Sequence, residues 1–309
     1  MSEVAGAAAA TLRTLGSVLW RIVLFFCVWA ILLGAILVPL SGRIQTWQTI
    51  APLRFRLGVD AVTLATILLA SWIMARLVDR RAPARVGLGR VRAAPDLVLG
   101  FIAGVVWLGL SLAIGAAGGW VAPEPRAHVS GSVLLAMTIS TALNVLAQQL
   151  LLCGYVFAVL LKWTSFRASL LVSSSLFAGY HAGAFHGAAW LPALNLFAAG
   201  ALFCLARQRT GRIWLGSGIH FAWNLLLGPV LGLTVSGDPG FGSGWHLLRL
   251  RGPALVCGGA FGLEGGLIVT LTTAAAIAAL ALVSHTRARE GGAARADPGV
   301  VDAGPPSAL

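Results

Sequence analysis

The 309-residue sequence predicts an all-α, polytopic membrane bundle of about eight transmembrane helices. Composition, the length of the apolar runs and the placement of the arginines lead to that reading. Hydrophobic residues make up 58% of the chain and charged residues only 10%, whereas roughly a quarter of the residues of a soluble domain are charged. The ten acids are Glu3, Asp60, Asp79, Asp96, Glu124, Asp238, Glu264, Glu290, Asp297 and Asp302, and most lie outside the long apolar runs.

A helix needs about 20 apolar residues to cross the hydrocarbon layer. Runs of that kind occupy 18–40, 57–78, 97–119, 133–161, 168–187, 190–206, 213–233 and 255–285. The first follows Arg13, as a signal-peptide core would. It reads as a membrane helix instead, because Ile22 to Leu40 is long for such a core and no clear small-x-small cleavage site follows. Only Gly187 to Leu191 separate the fifth run from the sixth, so one of the two is tilted or short. The eighth is expected to begin late, since Gly258, Gly259 and Gly262 loosen its start. Gly100 with Gly104, Gly115 with Gly119, and Gly183 with Gly187 stand four apart and permit close helix approach. The stretch from Ala288 to Leu309 is rich in Gly, Ala, Pro and charge and is expected to be disordered. Residues 1–94 thus read as two helices and a basic loop, 95–287 as the membrane core and 288–309 as a cytoplasmic tail.

Basic residues in the connections set orientation. With the amino terminus inside, that face receives Arg13, Arg80, Arg81, Arg85, Arg90, Arg92, Lys162, Arg167, Arg207, Arg209, Arg212, Arg287, Arg289 and Arg295. The opposite face receives only Arg43, Arg54, Arg56, Arg126, Arg249 and Arg251. The expectation is a multi-pass integral protein of a plasma membrane of bacterial type, with both termini cytoplasmic. The net charge of +12 is scattered over these connections without a groove-like cluster or interleaved aromatics. Its expected partner is therefore anionic lipid and not nucleic acid. Cys27, Cys153, Cys204 and Cys257 stand alone inside apolar runs, with no CxxC pair or metal spacing, and read as small buried hydrophobes. No nucleotide-binding loop, haem motif or lipid-attachment box is present.

Polar side chains at membrane depth are costly and mark sites by default. The fourth run carries Asn144, Gln148 and Gln149, the fifth Tyr180 and His181, the seventh His220 and Asn224. His220 and Asn224 are four apart and share one helix face; Gln149 and Cys153 have the same spacing. The expectation is one polar pocket near mid-membrane holding Gln148, His181, His220 and Asn224. Gln148 and Gln149 serve either interhelical hydrogen bonding or a ligand. Glu264, flanked by Gly262, Gly265 and Gly266, is either a functional carboxylate or a polar helix-start residue. Asp60, at the mouth of the second helix, reads as a partner of the helix dipole. His128, His186, His246 and His285 read as interfacial or solvated.

These residues resemble the CAAX-protease and bacteriocin-processing (CPBP) family of intramembrane peptidases, whose signatures are EExxxR, FxxxH, and HxxxN or HxxxD on successive helices. Gln148-Gln149-Leu150-Leu151-Leu152-Cys153-Gly154-Tyr155 aligns with the first, Phe177 to His181 matches the second and His220 to Asn224 the third. Arg209-Thr210-Gly211-Arg212-Ile213-Trp214 and Phe261-Gly262-Leu263-Glu264-Gly265-Gly266 also look like family sequence, so the resemblance runs from Pro95 to Ser284. It implies that a first-motif glutamate and His181 activate water, while His220 and Asn224 hold the carbonyl or its oxyanion. Participation of a metal is left open by the family.

The chain departs from the pattern at the base position. A glutamine amide orients water but cannot take its proton, and general acid–base help is worth roughly a hundred- to ten-thousand-fold. Gln149 and Cys153 replace a second acid and an arginine together, which removes both members of a buried charge pair and strands neither. The catalytic set carried over is Gln148, Gln149, His181, His220 and Asn224. Two imidazoles and two amides are a poor zinc set, with His181 and His220 the ligands if a divalent ion binds. The expected function is that of a weakened or inactive relative of the intramembrane endopeptidases, binding a membrane-associated peptide or lipid-linked ligand in the former active-site cavity. Two alternatives stand beside it: an active endopeptidase for prenylated or membrane-associated peptides, and a transporter-like protein. The transporter reading lacks an inverted repeat or an intramembrane acid–base relay.

Overall fold

A computed structural model describes residues 2–80, 86–124, 130–185, 190–242 and 246–294. Arg81, Arg85, Arg126, His128, His186, Gly187 and the tail from residue 295 onward lie outside these ranges.

The chain is a helical membrane bundle. Its helices are α1 (Ser2–Leu37), α2 (Ser41–Ile50), α3 (Pro52–Ile73), α4 (Ala93–Ala117), α5 (Gly131–Gln149), α6 (Val156–Trp163), α7 (Phe166–Tyr180), α8 (Trp190–Thr210), α9 (Trp214–Leu225), α10 (Ala254–Cys257) and α11 (Leu267–Ala294). Wide π-turns extend α3 over Met74–Val78, join α5 to α6 over Leu150–Tyr155 and extend α9 over Leu226–Val230. Serine caps start two helices: Ser130 Oγ accepts from Val133 N–H before α5, and Ser165 Oγ from Ala168 N–H before α7. Each hydroxyl satisfies one of the donors that a helix start leaves open.

Among the described residues, five stretches are long and apolar enough to cross a membrane: Thr11–Ile44, Pro52–Val78, Ala93–Ala117, Gly131–Trp163 and Trp190–Thr210. The other three apolar runs give shorter apolar helical segments. Run 168–187 becomes the 15-residue α7, which stops where His181 leaves helical geometry. Run 213–233 becomes the 12-residue α9 and a π-turn containing Pro229. Run 255–285 yields the apolar segment Leu267–Leu282, and its late start follows Gly258, Gly259 and Gly262, all at positive φ. The outside of the bundle is apolar, with Leu12, Ile31, Val106 and Leu271 all exposed, as a lipid-facing surface requires.

Helix α9 lies in the middle, against α4, α5 and α8. Its contact with α4 is backbone on backbone: a Cβ added at Gly100 would collide with Leu215 O, and one at Gly104 would stand 2.5 Å from Ile219 O. From the other side, a Cβ at Gly218 would collide with Leu97 O. Loops close the end opposite the 86–96 connection, where strands β1 (Val121–Pro123) and β2 (Leu248–Leu250) pair antiparallel with Ala122 opposite Arg249. Hydropathy gave no sign of this ribbon, whose strands are three residues long.

Candidate functional site

Helix α5 brings Gln148 and Gln149 into the bundle, both buried. Gln148 Nε2 donates to Asn144 Oδ1 at 2.7 Å, and Asn144 Nδ2 donates to Asp60 Oδ1 at 3.0 Å. Ser140 donates its hydroxyl to the second oxygen of Asp60. Asp60 is therefore not the helix-dipole partner that its position suggested. It lies two turns into α3, buried, and its carboxylate holds two side chains of α5.

The π-turn after Gln149 changes what the first motif can present. Its i→i+5 geometry rotates the following residues out of α-helical register, and Gly154 inside it leaves helical geometry altogether, at φ −87° and ψ −106°. Gln149 and Cys153 consequently do not share a face, as an unbroken helix would have required. Gln149 reaches His220 on α9, while Cys153 Sγ lies 3.8 Å from Cys204 Sγ on α8. The Cys153 carbonyl accepts from Arg207 Nε at 3.2 Å, so a guanidinium from α8 stands near the position of the motif arginine.

On α9 the four-residue spacing holds. Asn224 Nδ2 lies 3.2 Å from His220 Nε2, and Gln149 Nε2 lies 3.5 Å from His220 Nδ1. A neutral imidazole has one donor and one acceptor nitrogen, so both amides cannot donate to it. Gln149 Oε1 is buried without a partner among the described residues. Turning that amide lets Oε1 accept from Nδ1–H, while Nε2 accepts from Asn224, which satisfies the ring on both sides. Phe203 stacks on His220 with centroids 4.8 Å apart, and Phe177 meets it edge-on at 5.7 Å.

His181 sits at the C-cap of α7, half-buried, with its ring 5.0 Å from that of Phe177. Its Nδ1–H donates to the Phe177 carbonyl at 2.9 Å. This fixes the tautomer and leaves Nε2 as the unprotonated acceptor.

Gln148, His181 and Asn224 line one cavity of about 220 Å³, together with Asn144 and Tyr180. Gln149 and His220 are not part of its lining; they support it through Asn224. Arg56 and Asp238, joined at 2.6 Å, lie at its edge. Ser236, also in the lining, is tied to Glu264, which accepts from the Ser236 N–H and hydroxyl and from Trp223 Nε1 at 2.9 Å. Glu264 thus anchors the loop over the cavity. Arg56, Ser236 and Asp238 carry no signal in the sequence that ties them to the motifs. Asp60 does carry one, as the one acid in run 57–78.

The donor set does not fit a metal. Both His220 nitrogens face amides, His181 Nδ1 is taken by a carbonyl, and among the described residues no three of His, Cys, Asp and Glu converge.

Residues 130–226 match the family model described as type II CAAX prenyl endopeptidase Rce1-like. No curated protein and no solved structure matches the chain. The matched segment contains α5 to α9 and with them Gln148, His181, His220 and Asn224; α1 to α4, α10 and α11 lie outside it. The three motifs stand in order inside the matched segment, residues 130–226, so this part of the bundle resembles the type II CAAX prenyl endopeptidases.

Proposed function

We propose that this CAAX-protease-like membrane protein binds a membrane-associated peptide or lipid-linked ligand in the cavity of Gln148, His181 and Asn224, and hydrolyses it weakly or not at all. The observation that carries the reading is the state of Gln148. One of its amide N–H groups is given to Asn144, and its Oε1 is buried at the cavity without a partner among the described residues. A buried acceptor without a donor is costly, and an N–H of a peptide backbone would satisfy it. The amide has no base chemistry to offer. His181 Nε2 adds a second acceptor to the same cavity lining. The orientation with both termini cytoplasmic, read from the arginines, belongs to this proposal.

One observation favours the competing reading of an active endopeptidase. The cavity network still ends on a carboxylate, Asp60, reached through Asn144. The test is to reconstitute the full chain with a panel of prenylated and transmembrane peptides carrying a photo-crosslinker. Crosslinking without cleavage, weakened in Gln148→Ala, is the expected result. Robust cleavage by the native chain that disappears in His181→Ala would overturn the proposal.

A further inference from the structure

A second cavity, of about 570 Å³, lies away from Gln148, His181, His220 and Asn224, none of which lines it. Its wall holds Lys162, Trp163 and Arg207 beside a single acid, Asp79. Both oxygens of that acid are engaged, one by Arg21 Nε at 2.9 Å and the other by the Tyr155 hydroxyl at 2.8 Å. The charge of the wall is therefore positive. Arg207 is only 7% exposed, and its Nε donates to the Cys153 carbonyl. Gly87, at φ +97°, makes room for it: a Cβ there would stand 2.8 Å from Arg207 Nε. The guanidinium is thus a built-in part of the wall. Trp163 carries cations around its ring, with Lys162 Nζ 4.3 Å and the Arg21 guanidinium 5.5 Å from the centroid. Its own Nε1–H is buried without an acceptor among the described residues.

We propose that this cavity binds the phosphate head group of an anionic membrane lipid. A phosphate brings negative charge to a wall whose cations outnumber its acid, and it brings the acceptor oxygens that the Trp163 N–H lacks. The rest of the wall is apolar, including Ala75, Val159 and Leu161, so an acyl chain covers surface that a free anion would leave uncovered. Trp and Lys at the end of an apolar helix are also the side chains that anchor at a lipid interface. The site is separate from the peptidase-like cavity. Arg56 and Asp79 stand at opposite ends of the stretch Pro52–Val78 and its cap, 23 residues apart in numbering, which at 1.5 Å per residue is roughly 35 Å.

The experiment is native mass spectrometry of the full chain in detergent, with phosphatidylglycerol and phosphatidylcholine of identical acyl chains at equal concentration, and separately with inorganic phosphate. The native chain should retain phosphatidylglycerol about fivefold or more over phosphatidylcholine, the scale of one cation near an anionic surface. Lys162→Glu should abolish the preference, and Trp163→Phe, which keeps the ring and removes the N–H, should weaken it by about threefold. Arg43→Glu, an equal charge change at an exposed position of α2, should leave it intact. Equal retention of the two lipids by the native chain, or an unchanged preference in both Lys162→Glu and Trp163→Phe, overturns the assignment. Binding of inorganic phosphate without a lipid preference overturns it in favour of a free anion. Peptide crosslinking at the other cavity is scored separately, so failure of one site does not count against the other.

Discussion

Asn144 donates to Asp60 at 3.0 Å and accepts from Gln148 at 2.7 Å, so one amide couples a carboxylate of α3 to the position where the family carries its base. Helix α3 lies outside the segment that matches the family, residues 130–226. The acid missing from α5 is thus present in the same network, one residue away, on a helix that the family motifs do not include.

Asp60→Ala should therefore destabilise the protein. It leaves the Ser140 hydroxyl and the Asn144 amide without their acceptor inside the bundle, and a stranded buried donor costs about 1–3 kcal/mol. Asp60→Asn keeps one acceptor oxygen and should cost less. Thermal unfolding in detergent distinguishes them, and equal midpoints for the native chain and Asp60→Ala would refute the network as a structural element.

The contact of α4 with α9 predicts opposite outcomes for two glycines of one helix. Gly100→Ala drives a methyl group against Leu215 O and Gly218 Cα and should cost about 1–3 kcal/mol, as overpacking does. Gly109, with nothing within 4 Å of an added Cβ, should tolerate alanine or gain up to about 1 kcal/mol from better helix propensity. If both variants unfold at the native midpoint, the close approach of the two backbones is wrong.

These glycines show how far the sequence could be read. The four-residue spacing of Gly100 and Gly104 marks a true helix contact, yet Gly119 at the same spacing from Gly115 is a loop residue at φ +72°, where an added Cβ would meet nothing within 4 Å among the described residues. Spacing reports which residues share a face only where the helix continues. The same limit explains the first motif. The polar residues of α5, α7 and α9 were legible because polarity in an apolar run is conspicuous. The separation of Gln149 from Cys153 was not legible, because a π-turn changes the register without changing composition. Asp60 was misread for a related reason: its meaning depends on α5, 80 residues away in sequence, and periodicity within one helix carries no information about its neighbour.

Membrane orientation can be tested on two loops that the fold holds together. Ile213 N–H donates to Gly87 O at 3.1 Å, Trp214 Nε1 to Gly89 O at 2.8 Å, and Arg212 pairs with Asp96 at 2.7 Å. Single cysteines placed after Arg85 and after Arg209, in a chain with the exposed Cys27 replaced, should be labelled from the same side. Under the proposed orientation that side is the cytoplasm. Labelling from opposite sides would break the fold at this end, and labelling of both from outside would invert the orientation.

The last prediction concerns chemistry and follows from the Asp60–Asn144–Gln148 chain. Gln148→Glu alone would place a carboxylate against Asn144 Oδ1, an acceptor facing an acceptor, with Asp60 still charged behind it. An unpaired buried charge of that kind is costly. Combining Gln148→Glu with Asp60→Asn moves the carboxylate from α3 to α5 and keeps the charge of the network. The hydrogen bonds then run the other way. The new amide at position 60 accepts from Ser140 and donates to Asn144 Oδ1, and Asn144 Nδ2 donates to the new carboxylate. That carboxylate would line the cavity beside His181 Nε2, where water activation needs a proton acceptor. General base catalysis is worth roughly a hundred- to ten-thousand-fold, so the double variant should cleave the prenylated or transmembrane peptides that the native chain is proposed to bind without cutting. His181→Ala in the same background should abolish the gain. A double variant that unfolds at the native midpoint, crosslinks the same peptides and still fails to cleave them would show that the missing acid is not what blocks hydrolysis.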